Sequence, residues 1–163
     1  MKLQGQIKNL SELEKLSCLL LPFLCPNLYL VLEGELGVGK TALTQLIAKN
    51  LGVQKKVSSP TFNILQRYRI KGEYYLNHFD FFRLTPTDNL TFFQELTMDN
   101  LNIIEWPQNN PQFWQTEQHI YLQLIKNKDQ SRSIKIDFSK LADQELNLEH
   151  LKKFLTSSQT KIN

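Results

Sequence analysis

The chain has 163 residues, 41% hydrophobic and 21% charged, which fits one globular domain with a sizeable core. No apolar run approaches the ~20 residues of a membrane span, and the N-terminus lacks a basic stretch followed by a hydrophobic core, so no secretory signal is expected and the cytoplasm is the expected location. Residues 1–119 balance 11 basic against 11 acidic side chains, so the net charge of +3 arises in residues 120–163, with 8 basic and 5 acidic. That excess suits either an acidic or nucleic-acid partner or a plain solvated surface, and a pI near 8.8 does not decide between them. Cys18 and Cys25 form no C-x-x-C pair, and His78, His119 and His150 are scattered. Structural zinc and a disulfide framework are therefore not expected, and two buried free thiols are.

In chain order, Ser11-Glu12-Leu13-Glu14 fits a capping box with Ser11 as the N-cap. Leu13, Leu16, Leu19 and Leu20 then form the apolar face of a first helix, closed by Pro22 and Pro26. Leu28 to Leu32 is a continuous apolar run, the pattern of a parallel strand buried on both faces. Ala42, Leu43, Leu46, Ile47 and Leu51 recur at helical spacing, with Gly52 as the stop. Phe62 to Tyr68 and Tyr74 to Phe79 read as a hairpin across Lys71-Gly72-Glu73. Residues 86–100 read as a helix starting near Thr85-Pro86-Thr87, and Asn102 to Glu105 as a short buried strand. Ile120 to Lys126 and Ser133 to Phe138 read as a second hairpin, turned by Asn127-Lys128-Asp129, and Glu145 to Leu155 as a last helix. The expectation is an α/β fold with a mixed central sheet, one domain over residues 1–156, and a polar, frayed tail over 157–163.

Between the first strand and its helix lies Gly34-Glu35-Leu36-Gly37-Val38-Gly39-Lys40-Thr41, a G-x-x-x-x-G-K-[ST] phosphate-binding (Walker A) loop. Its glycines let the backbone turn amides toward an anion at the positive end of the following helix. Lys40 is placed to reach the β- and γ-phosphates of a nucleoside triphosphate, and Thr41 to ligate Mg²⁺.

Hydrolysis or transfer also needs a carboxylate for the metal and a group that places the nucleophile. Three segments offer these. Asp80 follows an apolar strand in His78-Phe79-Asp80-Phe81-Phe82-Arg83, either as a Mg²⁺ acid or as a cap or partner of Arg83. His78 beside it reads equally well as a structural or a catalytic histidine. Glu105 ends the next apolar strand, in Ile104-Glu105-Trp106-Pro107. It either orients water or holds Mg²⁺ through water, or is a surface acid. Trp106 either covers the site or belongs to the core. Ser58-Ser59-Pro60-Thr61 follows the phosphate-loop helix. There Thr61 either senses the γ-phosphate or its metal, or belongs to a simple turn.

Two rival readings leave their own marks. A P-loop small-molecule kinase, the alternative function, usually has an arginine-bearing lid, and Arg67, Arg69, Arg83 and Arg132 form no lid cluster. A GTP switch needs an N-K-x-D motif, and Asn127-Lys128-Asp129 lacks the spacer.

Taken in order, the phosphate loop, Ser59-Pro60-Thr61-Phe62, His78-Phe79-Asp80-Phe81-Phe82-Arg83-Leu84 and Glu105-Trp106-Pro107 resemble the bacterial TsaE (YjeE) family over nearly the whole chain. The resemblance implies a P-loop NTPase fold and a Mg²⁺-dependent ATPase required for N6-threonylcarbamoyladenosine in tRNAs reading ANN codons. It implies ATP and Mg²⁺ as cofactors, TsaD and TsaB as protein partners, and contact with tRNA only indirectly. Under it, Glu35, Leu36, Gly37, Val38, Gly39, Lys40, Thr41 and Ala42 contact the nucleotide, with Ser11 and Arg132 as further candidates. Thr41, Glu105 and Asp80 are the metal set, and Glu105, Asp80, Thr61 and Trp106 the catalytic set. The chain departs from the family pattern at Phe82, where a Tyr is usual, at Glu35 and Ala42 in and after the loop, and at Thr97, which replaces a Gly after Glu95-Leu96. Its segment leading to Glu105 is also shorter.

Overall fold

The computed structural model describes residues 1–70, 72, 74–141 and 147–157. Seven strands form one mixed sheet: β1 (Lys2–Ile7), β2 (Tyr29–Gly34), β3 (Leu65–Arg69), β4 (Tyr75–Asp80), β5 (Leu101–Glu105), β6 (His119–Lys126) and β7 (Arg132–Lys140). Their order across the sheet is β1-β7-β6-β2-β5-β4-β3. The central four, β6, β2, β5 and β4, run parallel; β3 and β7 flank them as antiparallel hairpin partners of β4 and β6, and β1 adds antiparallel to the outer edge of β7. Four α-helices among the described residues accompany them: α1 (Leu10–Leu20), α2 (Lys40–Asn50), α3 (Thr91–Thr97) and α4 (Glu149–Ser157).

Alternation along the buried strands builds a core on each face. Leu30, Leu32, Ile103, Leu76, Ile120 and Leu122 pack with Leu13, Leu16 and Leu20 of α1, Leu43 and Ile47 of α2, and Leu151 and Phe154 of α4. The alternate residues Tyr29, Val31, Phe79 and Ile104 pack with Leu90, Phe93, Phe113 and Trp114 on the other face. Over β6, β7 and β1 that second face is polar instead, with Lys2, Gln4, Tyr121, Gln123, Lys135 and Asp137 around a shallow hollow.

The expected elements form, with corrections. The N-cap of α1 is Asn9, not Ser11: Asn9 Oδ1 accepts the Glu12 amide at 2.9 Å, and Glu12 Oε2 accepts the Lys8 amide at 2.7 Å. The same x-x-Glu spacing occurs two residues earlier, and that copy caps the helix. Strand β1 is absent from the sequence reading because its outward residues are polar and Gly5 interrupts the inward ones. A Cβ there would lie 2.8 Å from Leu155, so glycine is what lets α4 lie on β1. The helix expected over 86–100 shrinks to α3. Ahead of it, Asp88 Oδ2 accepts the Thr85 amide at 2.6 Å and Asn89 Oδ1 accepts the Thr91 amide at 2.9 Å, side-chain turns that compete with helix. Strand β3 starts at Leu65, after a turn at 61–64.

Cys18 and Cys25 are free thiols, but exposed, not buried. Helix α4 starts at Glu149 and runs through Ser157, one residue past the expected domain end. The expected start of that helix at Glu145, the hairpin residues Lys71 and Glu73, and the tail from 158 onward lie outside the described residues. No helix among the described residues is long and apolar enough to cross a membrane.

Candidate nucleotide-binding site

Strand β2 delivers the chain to the phosphate loop at the C-terminal end of the parallel strands, where α/β folds place their ligands. Gly34 has φ 153°, and a Cβ there would meet the Leu124 carbonyl oxygen at 2.5 Å. Gly37 and Gly39 take φ 73° and 118°, which turns the loop into the first turn of α2. Leu36 stands at the loop crest, 80% exposed. Lys40 is buried; its Nζ donates to the Gly34 carbonyl at 2.6 Å and the Glu35 carbonyl at 2.9 Å, and lies 4.0 Å from the centre of the Trp106 ring. Burial pushes this ammonium below the ordinary lysine value, and the Glu105 and Asp80 carboxylates pull it back up.

Parallel pairing of β4 with β5 sets Asp80 beside Glu105 and His78 beside Ile103. All three polar side chains therefore point to the α2 face. Thr41, in the first turn of α2, donates its hydroxyl to Glu105 Oε2 at 3.0 Å. Glu105 Oε1 pairs with His78 Nε2 at 2.8 Å, and both side chains are buried, 3% and 0% exposed.

Asp80 is held as firmly. Its Oδ2 accepts the hydroxyls of Ser59 at 2.6 Å and Thr61 at 2.7 Å, and its Oδ1 accepts the Phe82 amide at 2.9 Å. The Ser59 and Thr61 hydroxyls lie 2.8 Å apart. The Ser-Pro-Thr turn is thus bound to the end of β4. The Arg83 guanidinium stacks 4.4 Å from the Phe62 ring.

Trp106 adopts a left-handed backbone, φ 60° and ψ 49°. Such a conformation costs a bulky residue about 1–3 kcal/mol and tends to mark functional sites. Here it turns the indole over Lys40, and the Phe82 ring packs against it with centroids 5.0 Å apart. Phe82 occupies this place with a bare ring.

The result is a cleft of about 410 Å³ lined by Leu36, Gly37, Gly39, Lys40, Thr41, Ala42, Ser59, Thr61, Asp80, Phe82, Glu105 and Trp106. A smaller hollow of about 240 Å³ opens on the far side of the loop, lined by Ile7, Asn9, Leu10, Leu13, Val38, Gly39, Ala42, Leu124 and Arg132. Arg132 donates its Nε to the Val38 carbonyl at 3.1 Å and its Nη1 to that of Gln130, bracing the loop from β7. Ser11 is exposed on α1 and lines neither hollow. Glu35 joins through its carbonyl, which receives Lys40.

The donor set suits Mg²⁺: Thr41 and Glu105 offer hard oxygens within 3.0 Å of each other, with the Asp80 carboxylate on the next strand. Among the described residues no three His, Cys, Asp or Glu side chains converge as a complete metal cage. Mg²⁺ does not need one, since it keeps several waters and binds through one or two protein oxygens plus phosphate.

Sequence reasoning missed the Ser59–Asp80 bond, the place of Phe82 in the cleft wall, and the His78–Glu105 pair. The first two had a local signal, an alternating pair of hydroxyls and an aromatic two residues past the acid. The third depends on strand register and has none.

The match to the family model "Threonylcarbamoyl adenosine biosynthesis protein TsaE" spans residues 7–134, which takes in both hollows and every strand from β2 to β6. The chain is 37% identical over 103 residues to the tRNA threonylcarbamoyladenosine biosynthesis protein TsaE of Rickettsia felis, covering 61% of this chain and 60% of that protein. It is 32% identical over 106 residues to the protein of the same name from Bacillus subtilis, covering 64% and 66%. These alignments thus take in about half to two thirds of the length of the curated relatives, from 49% to 66%. The crystal structure of Bacillus subtilis YdiB superposes with a TM-score of 0.65 at 26% identity, covering 83% of this chain and 84% of that one. With the family's α/β P-loop architecture, its phosphate loop and its order of segments all in place, the chain belongs to the TsaE family.

Proposed function

We propose that this protein is a Mg²⁺-dependent ATPase that serves the formation of N6-threonylcarbamoyladenosine in tRNAs reading ANN codons, acting with TsaD and TsaB. The observation that carries the hydrolysis reading is the meeting of Thr41 and Glu105 at 3.0 Å beside the phosphate loop. It unites a hydroxyl and a carboxylate from distant parts of the chain where the terminal phosphate of a bound nucleotide would lie.

In this reading the loop amides and Lys40 hold the phosphates, and the apolar hollow beside Arg132 takes the adenosine end. Thr41, with Glu105 and Asp80 directly or through water, would hold Mg²⁺, which would supply charge neutralisation at the phosphate oxygens. Glu105 orients the attacking water and accepts its proton. Asp80 fixes Ser59 and Thr61 at the cleft wall, so that Thr61 faces the terminal phosphate. Trp106 and Phe82 cover Lys40 and keep bulk water from it. The tRNA role and the TsaD–TsaB partnership rest on family membership.

The test mixes the purified protein with TsaD and TsaB, and follows ATP hydrolysis and tRNA modification together. Stimulated hydrolysis and repeated rounds of modification are expected. Absence of both a complex and any stimulation would refute the tRNA role, while hydrolysis by the protein alone would keep the ATPase reading.

A further inference from the structure

His78 is the one buried imidazole at the candidate site, and nothing so far assigns it a role. It lies on β4 one strand over from Glu105 and two residue positions back, on the same sheet face. Its Nε2 meets Glu105 Oε1 at 2.8 Å. Its Nδ1 is buried with no hydrogen-bond partner among the described residues.

A core position that wanted only bulk would be cheaper with an apolar side chain, because an unpartnered buried nitrogen is unfavourable. The surrounding strand positions are filled by Leu76, Ile103 and Leu101, all fully buried. What distinguishes imidazole is one donor, aimed at the carboxylate oxygen that Thr41 does not hold. A carboxylate accepting on both oxygens, from Thr41 on α2 and from His78 on β4, has its plane fixed from two elements. The orphan Nδ1 also selects the tautomer. A proton there would be a buried donor without an acceptor, so the hydrogen resides on Nε2 and is donated to Glu105.

We propose that His78 is the positioning residue for Glu105: the imidazole holds the carboxylate in the orientation that serves water and metal at the phosphate loop. The proposal rests on the hydrolysis reading above for its consequence, but not for its geometry. Loss of such an outer partner typically lowers activity or metal affinity by about 10–100-fold.

The test compares three variants. In His78→Gln the amide nitrogen falls where Nε2 stood; in His78→Asn it falls where Nδ1 stood; His78→Leu has no donor. The expected result is a kcat within about 3-fold of wild type for His78→Gln. His78→Asn and His78→Leu should lose about 10-fold or more in kcat, while the Kd for ADP, which the loop and Lys40 set, stays unchanged. Equal losses in the Gln and Asn variants, full activity in the Leu variant, or failure of all three to fold would overturn the proposal.

A second readout needs no activity. The imidazole ¹⁵N signals of His78 in the wild type should report a proton on Nε2 and a bare Nδ1, with the Nε2 proton signal displaced in Glu105→Gln. A proton on Nδ1 with bare Nε2 would refute the pairing. Absence of ATP turnover in the wild type, with that tautomer present, would instead refute the hydrolysis reading.

Discussion

Strands β4 and β5 bury two polar clusters on opposite faces. Facing α3, Asn77 and Asn102 join Asn100 in a cluster of amides; facing α2, His78, Asp80 and Glu105 form a charged one. The amide cluster is complete. Asn77 Nδ2 donates to Asn102 Oδ1 at 2.9 Å and to the Leu96 carbonyl at 2.6 Å, and its Oδ1 accepts Arg67 Nε at 3.0 Å. Asn102 and Asn100 donate to the carbonyls of Thr97, Asn100, Leu96 and Met98, and Asn100 Oδ1 accepts the Tyr75 amide at 2.7 Å. Every polar atom of the three side chains is used, and together they tie the end of α3 to the starts of β4 and β5. The α2-side cluster carries two carboxylates beside a buried ammonium, leaves the His78 Nδ1 unpartnered and adjoins a strained Trp106 backbone. A neutral, saturated network specifies a fold; a charged, unsaturated one keeps capacity for a ligand.

Perturbing each cluster should therefore separate stability from activity. The largest effect on nucleotide affinity is expected at the phosphate loop. Lys40→Ala should weaken ATP and ADP binding by about 2 kcal/mol or more, roughly 30-fold, by loss of a buried charge-assisted contact. Unchanged affinity by calorimetry would contradict the phosphate role. Asp80→Asn, which keeps the shape and removes the charge that holds Ser59 and Thr61, should lower kcat by about 10–100-fold while leaving a cooperative urea transition.

On the amide side, Asn102→Ala should cost about 1–3 kcal/mol of folding stability by stranding buried groups, with kcat little changed at a temperature where the variant is folded. A matching loss of kcat would erase the distinction between the clusters.

The smallest effect belongs to His119, a buried imidazole outside both. Burial pushes it below the ordinary histidine value, partly offset by its Nδ1 donating to the Glu117 carbonyl at 2.8 Å. Between the lowered folded value and the ordinary one the unfolded chain binds more protons. Stability is thus full above the ordinary histidine range and declines as pH falls through the window below it. Tm measured down that window should fall in the wild type and fall less in His119→Gln.

What could be read from the sequence was what is local along the chain. The phosphate loop, its strand and its helix are contiguous, so Gly34 to Thr41 announced both geometry and chemistry. Asp80 and Glu105 were legible as acids closing apolar runs. Their partners were not: Ser59 and Thr61 reach Asp80 only once the turn before β3 folds against the end of β4, and His78 reaches Glu105 only once the β4–β5 register is known. Two capping boxes with identical spacing, at Asn9 and at Ser11, could not be ranked by spacing. The amide cluster looked like ordinary strand and loop residues, since Asn77, Asn100 and Asn102 meet only through pairing. Residues 86–90 read as the start of a helix, but the Asp88 and Asn89 side chains bond to the adjacent backbone and hold it in turns.

The central claim is that Glu105 turns a nucleotide cleft into a Mg²⁺-dependent hydrolase. Its most direct test is steady-state ATP hydrolysis by the wild type and Glu105→Gln, with and without Mg²⁺, alongside the ATP affinity of each. The predicted result is Mg²⁺-dependent turnover in the wild type that falls by about 100-fold or more in the variant, as for loss of a general base, at an ATP affinity within a few-fold. Wild-type turnover in Glu105→Gln, or hydrolysis indifferent to Mg²⁺, would contradict it.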